Sequence, residues 1–182
     1  METERLILRA WLDSDREPFA TMSSDPQVMA HLLPLASTEA IEGWIDRQQA
    51  HLGTHGFCLW ALESKASGEF IGAAGLLRVG YDAHFTPAVE VGWRLARKAW
   101  GQGYASEAAA RAIRFGFEQF GLPEIVANTV AANGNSRRVM DRLGMTHDAA
   151  DDFDHPLVPV GHPLRRQVLY RLPRERGAGT VT

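Results

Sequence analysis

KAWGQGYASEA, Lys98 to Ala108, sets two glycines around Gln102 and runs directly into an alanine-rich stretch. From Tyr104 to Phe120, Ala105, Ala108, Ala109, Ala112, Ile113, Gly116, Phe117 and Phe120 share one helical face, with Glu107, Arg111, Arg114 and Glu118 mostly opposite. The glycines therefore stand at a helix start, where backbone N–H groups lack intrahelical partners and the peptide dipoles add partial positive charge. Without a Cβ, Gly101 and Gly103 let the chain turn tightly. Phosphate oxygens can then reach the amides of Gly101, Gln102, Gly103, Tyr104, Ala105 and Ser106, with Lys98 and the Ser106 hydroxyl as further donors. A glycine turn that merely opens a helix carries the same letters.

The dinucleotide fingerprint needs a third glycine where this chain has Ser106, and the Gly-Lys-Ser/Thr of a nucleoside-triphosphate loop is absent. Upstream, FCLWAL (57–62), EFIGAAGLLRV (69–79) and AVEVGWRLA (88–96) read as an antiparallel meander. RLILRAW (5–11) reads as an earlier strand, followed by helices capped near Asp13 or Ser14, at Asp25-Pro26 and at Ser37 or Thr38. Downstream, EIVANTVA (124–131) is a strand, Asn135 or Ser136 opens a helix closing at Leu143-Gly144, and QVLYRL (167–172) is the last strand. The pattern predicts a mixed α+β chain: one domain over residues 1–173 and a disordered tail over 174–182.

At 182 residues and 45% hydrophobic content, the chain is sized for a single core. A net charge of −3 gives no basic field for nucleic acid. No apolar run has membrane-spanning length, and METERLILRAW is charged where a signal peptide is apolar, so the expectation is a cytoplasmic protein with no membrane partner. Cys58, alone and inside an apolar strand, reads as a buried structural thiol. His147, His155 and His162 lie among Asp148, Asp151, Asp152 and Asp154 without the spacing of a known metal motif, which predicts no metal.

EVGWRLARKAWGQGYASEAAARAI followed by NTVAANGNSRRVMDRLGM, with the opening TERLILR and the closing VLYRL in order, resembles the GNAT acetyltransferase superfamily and its RimJ/RimL-like branch of ribosomal-protein N-terminal acetyltransferases. The resemblance implies a mostly antiparallel mixed sheet of about seven strands with flanking helices and a central splayed parallel pair, AVEVGWRLA and EIVANTVA. Acetyl-coenzyme A would lie in the V between them. The backbone of Trp93 and Leu95 would bind the pantetheine arm, and the amides from Gly101 to Ser106 the pyrophosphate. Asn133 would contact the pantetheine and Ser136 the coenzyme sulfur; both residues also suit a purely structural helix start. Many family members carry a tyrosine acid where this chain has Met140.

Acetyl transfer to an amine requires a neutral amine, a polarised thioester carbonyl and a proton for the leaving thiolate. Alternation puts Glu90, Gly92 and Arg94 on one face of their strand and Val89, Val91, Trp93 and Leu95 on the other. Glu90 is the candidate base, directly or through water; an ordinary salt-bridged carboxylate is the plain alternative. Gly92 reads as a bulge or a close backbone approach. Trp93 or Tyr81 is expected to line the acceptor pocket. The implied partner is an amine, either a peptide N-terminus or a small molecule, with the protein a monomer or homodimer. A coenzyme A-binding module that has lost catalysis is the alternative that Met140 keeps open.

Overall fold

Leu6 and Leu8 are buried and alternate with Ile7 and Arg9, so the first apolar run forms a strand, β1 (Leu6–Arg9). The structure is a computed structural model and describes residues 1–35 and 37–180. Three helices follow: α1 (Arg16–Ser23), α2 (Pro26–Met29) and α3 (Thr38–His55). The Asp25 carboxylate accepts from Gln27 N at 2.8 Å and Ser37 Oγ from Ala40 N at 3.2 Å, which fixes where α2 and α3 begin.

The meander is β2 (Leu59–Ser64), β3 (Phe70–Arg78) and β4 (Val89–Leu95), followed by α4 (Tyr104–Phe120), β5 (Glu124–Thr129) and α5 (Gly134–Arg142). β6 (Thr146–His147), β7 (Phe153–Asp154), β8 (Arg166–Pro173) and α6 (Arg174–Thr180) complete the order. The eight strands run β1-β2-β3-β4-β5-β8-β6, with β7 on β8. This agrees with the expected mixed sheet of about seven strands, β6 and β7 having only two residues each.

Among the described residues only β4 and β5 are parallel, and they meet at a single registered pair, Glu90 opposite Val126. Along its other edge β4 is paired throughout with β3, from Val89 opposite Arg78 to Leu95 opposite Gly72. The two central strands therefore part after Glu90.

The sheet has differently covered faces. On one, α4 lies close because Ala108, Ala109 and Ala112 are fully buried, packing with Val91, Leu95, Ile125 and Met140. On the other, α1 and α3 set Phe19, Met22, Ile41 and Ile45 over Leu59, Ala61 and Ala73, while Phe85 and Phe153 cover Val126 and Leu169. Glu90, Gly92 and Arg94 share that second face by alternation, on the strand between the two apolar clusters.

Two expectations are corrected. Gly92 is no bulge: its register opposite Gly75 is unbroken, and a Cβ there would lie 3.5 Å from Leu59, an ordinary contact. The close approach belongs to Gly75, where a Cβ would come within 2.0 Å of the Cys58 carbonyl oxygen. The tail is not disordered from residue 174; it forms α6, with Gly177 buried against Phe117. The remainder of that expected tail, residues 181 and 182, lies outside the described residues.

Candidate active site at the splayed strands

The loop before α4 takes the conformation that its glycines permit. Gly101 has φ 74° and Gly103 φ 80°, both left-handed, and Gly103 is the N-cap of α4 with no side chain hydrogen-bonded into the first turn. Gly101, Gln102 and Gly103 are exposed, so their amides face an accessible helix start. Ser106 Oγ, one turn in, is buried without a hydrogen-bond partner among the described residues. An uncapped first turn beside an orphaned hydroxyl fits a pyrophosphate.

Arg5 braces this loop from β1's side. Its Nη1 donates to the Gln102 carbonyl at 2.9 Å, and its guanidinium pairs with Glu107, with Nη2 2.6 Å from Oε2. Glu107 would otherwise place an unscreened negative charge in the first turn. Hydrogen bonds from Thr3 and from Arg5 hold its carboxylate below the usual range against the opposing cost of burial. Lys98 is placed differently from expectation: its Nζ pairs with Glu69 at 2.6 Å, and only its carbonyl serves the loop, accepting from Gln102 Nε2 at 3.0 Å.

The open edge of β4 follows from two bonds to β3's side. Ala96 N donates to Ile71 O and Val79 N donates to Ala88 O, so even-numbered residues direct their backbone groups toward β3. Val91, Trp93 and Leu95 direct theirs toward the widening gap. The Leu95 carbonyl is taken by the Trp100 indole Nε1 at 2.8 Å. What remains on the gap past Val91 is the N–H and C=O of Trp93 and the N–H of Leu95, a strand edge of the kind a pantetheine arm can pair with. The Trp93 side chain packs with the core on the α4 face, so of the two candidates for the acceptor pocket only Tyr81 lies on the Glu90 face.

Where the strands part, Asn128 Nδ2 donates to Glu90 Oε2 at 2.9 Å and lies 3.5 Å from Tyr81 Oη. Burial raises the Glu90 pKa to about 7, the Asn128 bond opposing it. Burial and the neighbouring Glu90 charge both push the Tyr81 phenol upward, so it keeps its proton at neutral pH. Tyr81 also contacts His155, ring centroids 4.3 Å apart, whose pKa burial and Arg165 lower. Asn128 was missed by sequence reasoning, although alternation along EIVANTVA puts it on the face of Val126.

Asn133, not Asn135 or Ser136, caps α5: its Oδ1 accepts from Ser136 N at 3.2 Å. Its Nδ2 donates to Thr129 Oγ1 at 3.0 Å and to Ser136 Oγ at 3.1 Å. Ser136 thus accepts from Asn133 and keeps its own O–H to donate elsewhere. Met140 is 2% exposed within the core and offers no acid. Cys58 is buried and its thiol pushed up to about 12, which makes it inert. The acidic segment is bound up in polar contacts: Asp152 lies 2.7 Å from His147 Nε2, and Asp151 pairs with Arg171 at 2.7 Å and lies 3.2 Å from His84 Nε2. Among the described residues no three metal-ligating side chains gather.

Comparison with known proteins agrees with this geometry. Residues 5–146 match the family model for the acetyltransferase (GNAT) domain. The chain is 34% identical over 154 residues to the FsC-acetyl coenzyme A-N(2)-transacetylase of Aspergillus fumigatus, covering 81% of this chain and 65% of that protein. It is 32% identical over 144 residues to the uncharacterized protein YkkB of Bacillus subtilis, 79% of this chain and 83% of its relative. An acetyltransferase from Agrobacterium tumefaciens superposes with a TM-score of 0.75 at 27% identity, over 94% of this chain and 92% of that one. With the splayed pair and the glycine loop falling inside the matched residues, the chain belongs to the GNAT acetyltransferase family and is an acetyltransferase.

Proposed function

We propose that the protein moves acetyl from acetyl-coenzyme A directly to a primary amine within a ternary complex. The observation that carries this is the single β4–β5 pair, which leaves the Trp93 backbone and the Leu95 N–H open beside a carboxylate with a pKa of about 7. The fungal relative's name, an acetyl coenzyme A-N(2)-transacetylase, supports a nitrogen acceptor.

Glu90 takes the amine proton, directly or through a water. An α-amine has a pKa of about 7.7–8.0, close to that of this base, whereas a lysine amine at about 10.4 is a poorer match. The amine nitrogen adds to the thioester carbonyl, the C–S bond breaks, and the leaving thiolate takes a proton, for which the free Ser136 O–H is the nearest candidate in role. Trp93, Leu95 and Asn133 hold the pantetheine, and the amides from Gly101 to Ser106 hold the pyrophosphate. The RimJ/RimL-like branch favours a peptide N-terminus as acceptor, with a small amine as the other choice.

The test is thiol release from acetyl-coenzyme A with a panel of peptides and small amines. Release with any amine, slowed in Glu90→Gln while coenzyme A binding survives, supports direct transfer. Tight coenzyme A binding with no thiol released from any amine would instead favour a binding module without catalysis.

A further inference from the structure

Arg94 lies on the Glu90 face of β4, four residues beyond the only β4–β5 pair. Its guanidinium stands over the rings of Phe19 and Trp44, at 5.7 and 5.4 Å from their centroids. Such contacts leave the guanidinium N–H groups, whose hydrogen bonds lie in its plane, without acceptors. Nη1 is buried and without a hydrogen-bond partner, and among the described residues no carboxylate pairs with Arg94. Burial also lowers its pKa to about 10, which leaves it charged at neutral pH. A desolvated cation with an empty in-plane edge is costly to maintain, and a planar anion answers that edge with two parallel hydrogen bonds.

The surroundings admit such a partner. Arg94's register partner on β3 is the small Ala73, and β5 has turned away at this height. Between Arg94 and Glu90, Gly92 adds no side chain of its own and Leu59 packs over it. Past Ala96 the same face opens into a recess of about 480 Å3 lined by Pro18, Met22, Phe70 and Ala96, with Glu17, Asp25, Arg97 and Lys98 around it.

We propose that Arg94 binds a carboxylate of the acceptor, so that the substrate is an amine carrying an acid group, such as an amino acid or a short peptide with a nearby carboxylate. The inference rests on the amine-transfer reading and narrows its substrate class. The Cα atoms of Glu90 and Arg94 are about 13 Å apart along the strand. Both side chains stand on one face of β4, and the acceptor would set its amine at Glu90 and its acid at Arg94.

The experiment uses matched acceptor pairs, each amino acid or short peptide against its own amide, in thiol-release kinetics with the wild-type protein, Arg94→Gln and Arg94→Lys. The wild type should favour the acid over the amide by roughly 10- to 100-fold in kcat/KM. Arg94→Gln should bring that ratio near one, mainly through KM, and Arg94→Lys should keep part of it. No acid preference in the wild type, or a preference that survives Arg94→Gln, overturns the proposal. So does an Arg94→Gln defect confined to coenzyme A affinity, which would assign the cation to the coenzyme's phosphates.

Calorimetric binding of an N-acetyl amino acid against its N-acetyl amide reads the same subsite without turnover. Acid-selective binding with no thiol release overturns the transfer reading alone; thiol release without acid selectivity overturns the Arg94 assignment alone. Should Arg94→Gln fail to fold, the wild-type ratio together with Arg94→Lys decides.

Discussion

Asn128 donates to Glu90 across the point where β4 and β5 part, at 2.9 Å, so the amide that braces the cleft also tunes the carboxylate inside it. Burial raises the Glu90 pKa to about 7. As a base Glu90 must be ionised, so kcat/KM should rise with pH through about 7. Glu90→Gln should remove that limb and lower kcat by roughly 100-fold or more, checked by a pH–rate profile of both proteins.

The same shift has a stability sign. A carboxyl held above its unfolded value binds more protons in the native state, so its stabilising contribution is complete below about 4.5 and lost as pH rises to about 7. The loss is at most about 3 kcal/mol. Urea unfolding at pH 5 and pH 8 should show the wild type weakening more than Glu90→Gln.

Asn128→Ala removes the bond that stabilises the ionised carboxylate. The Glu90 pKa should then move further up, and the acidic limb of the rate profile should shift to higher pH with its shape retained. An unshifted limb would separate Glu90 from the observed titration.

Gly103 carries φ 80° at the N-cap of α4. Gly103→Ala should cost about 1–2 kcal/mol of stability from left-handed strain alone. It should also weaken coenzyme A binding, measurable as a smaller ligand-induced rise in Tm than in the wild type.

Arg5 neutralises Glu107 in the first turn of α4 and fixes the Gln102 carbonyl. Arg5→Gln should expose the helix start to an unpaired carboxylate, repel a diphosphate and weaken coenzyme A several-fold. Raising the salt concentration should narrow the gap between variant and wild type.

The strands and long helices were legible in the sequence where period and punctuation were long enough to read: α4 starts at Tyr104 and β4 spans the expected apolar alternation. The glycine loop was legible because left-handed backbone leaves a mark in residue type. The Asn128 bridge and the orphaned Arg94 edge were not, since each depends on which strand stands beside which, and on how far apart. α6 was hidden by Gly177, which lowers helix propensity but makes the close contact with Phe117. The Met140 departure was visible in the letters; that its side chain fills the core was not.

Arg5 reaches residues 97 and 102 positions later in the chain. The loop proposed to receive the coenzyme therefore cannot take its final form during synthesis of the first half of the protein, however well its glycines are placed. Its bracing waits for the earliest strand to close onto the helix that follows three of its seven successors. Competence to bind becomes a late event on the folding path, and coenzyme A, by binding only the closed arrangement, stabilises that long-range closure in addition to filling the groove.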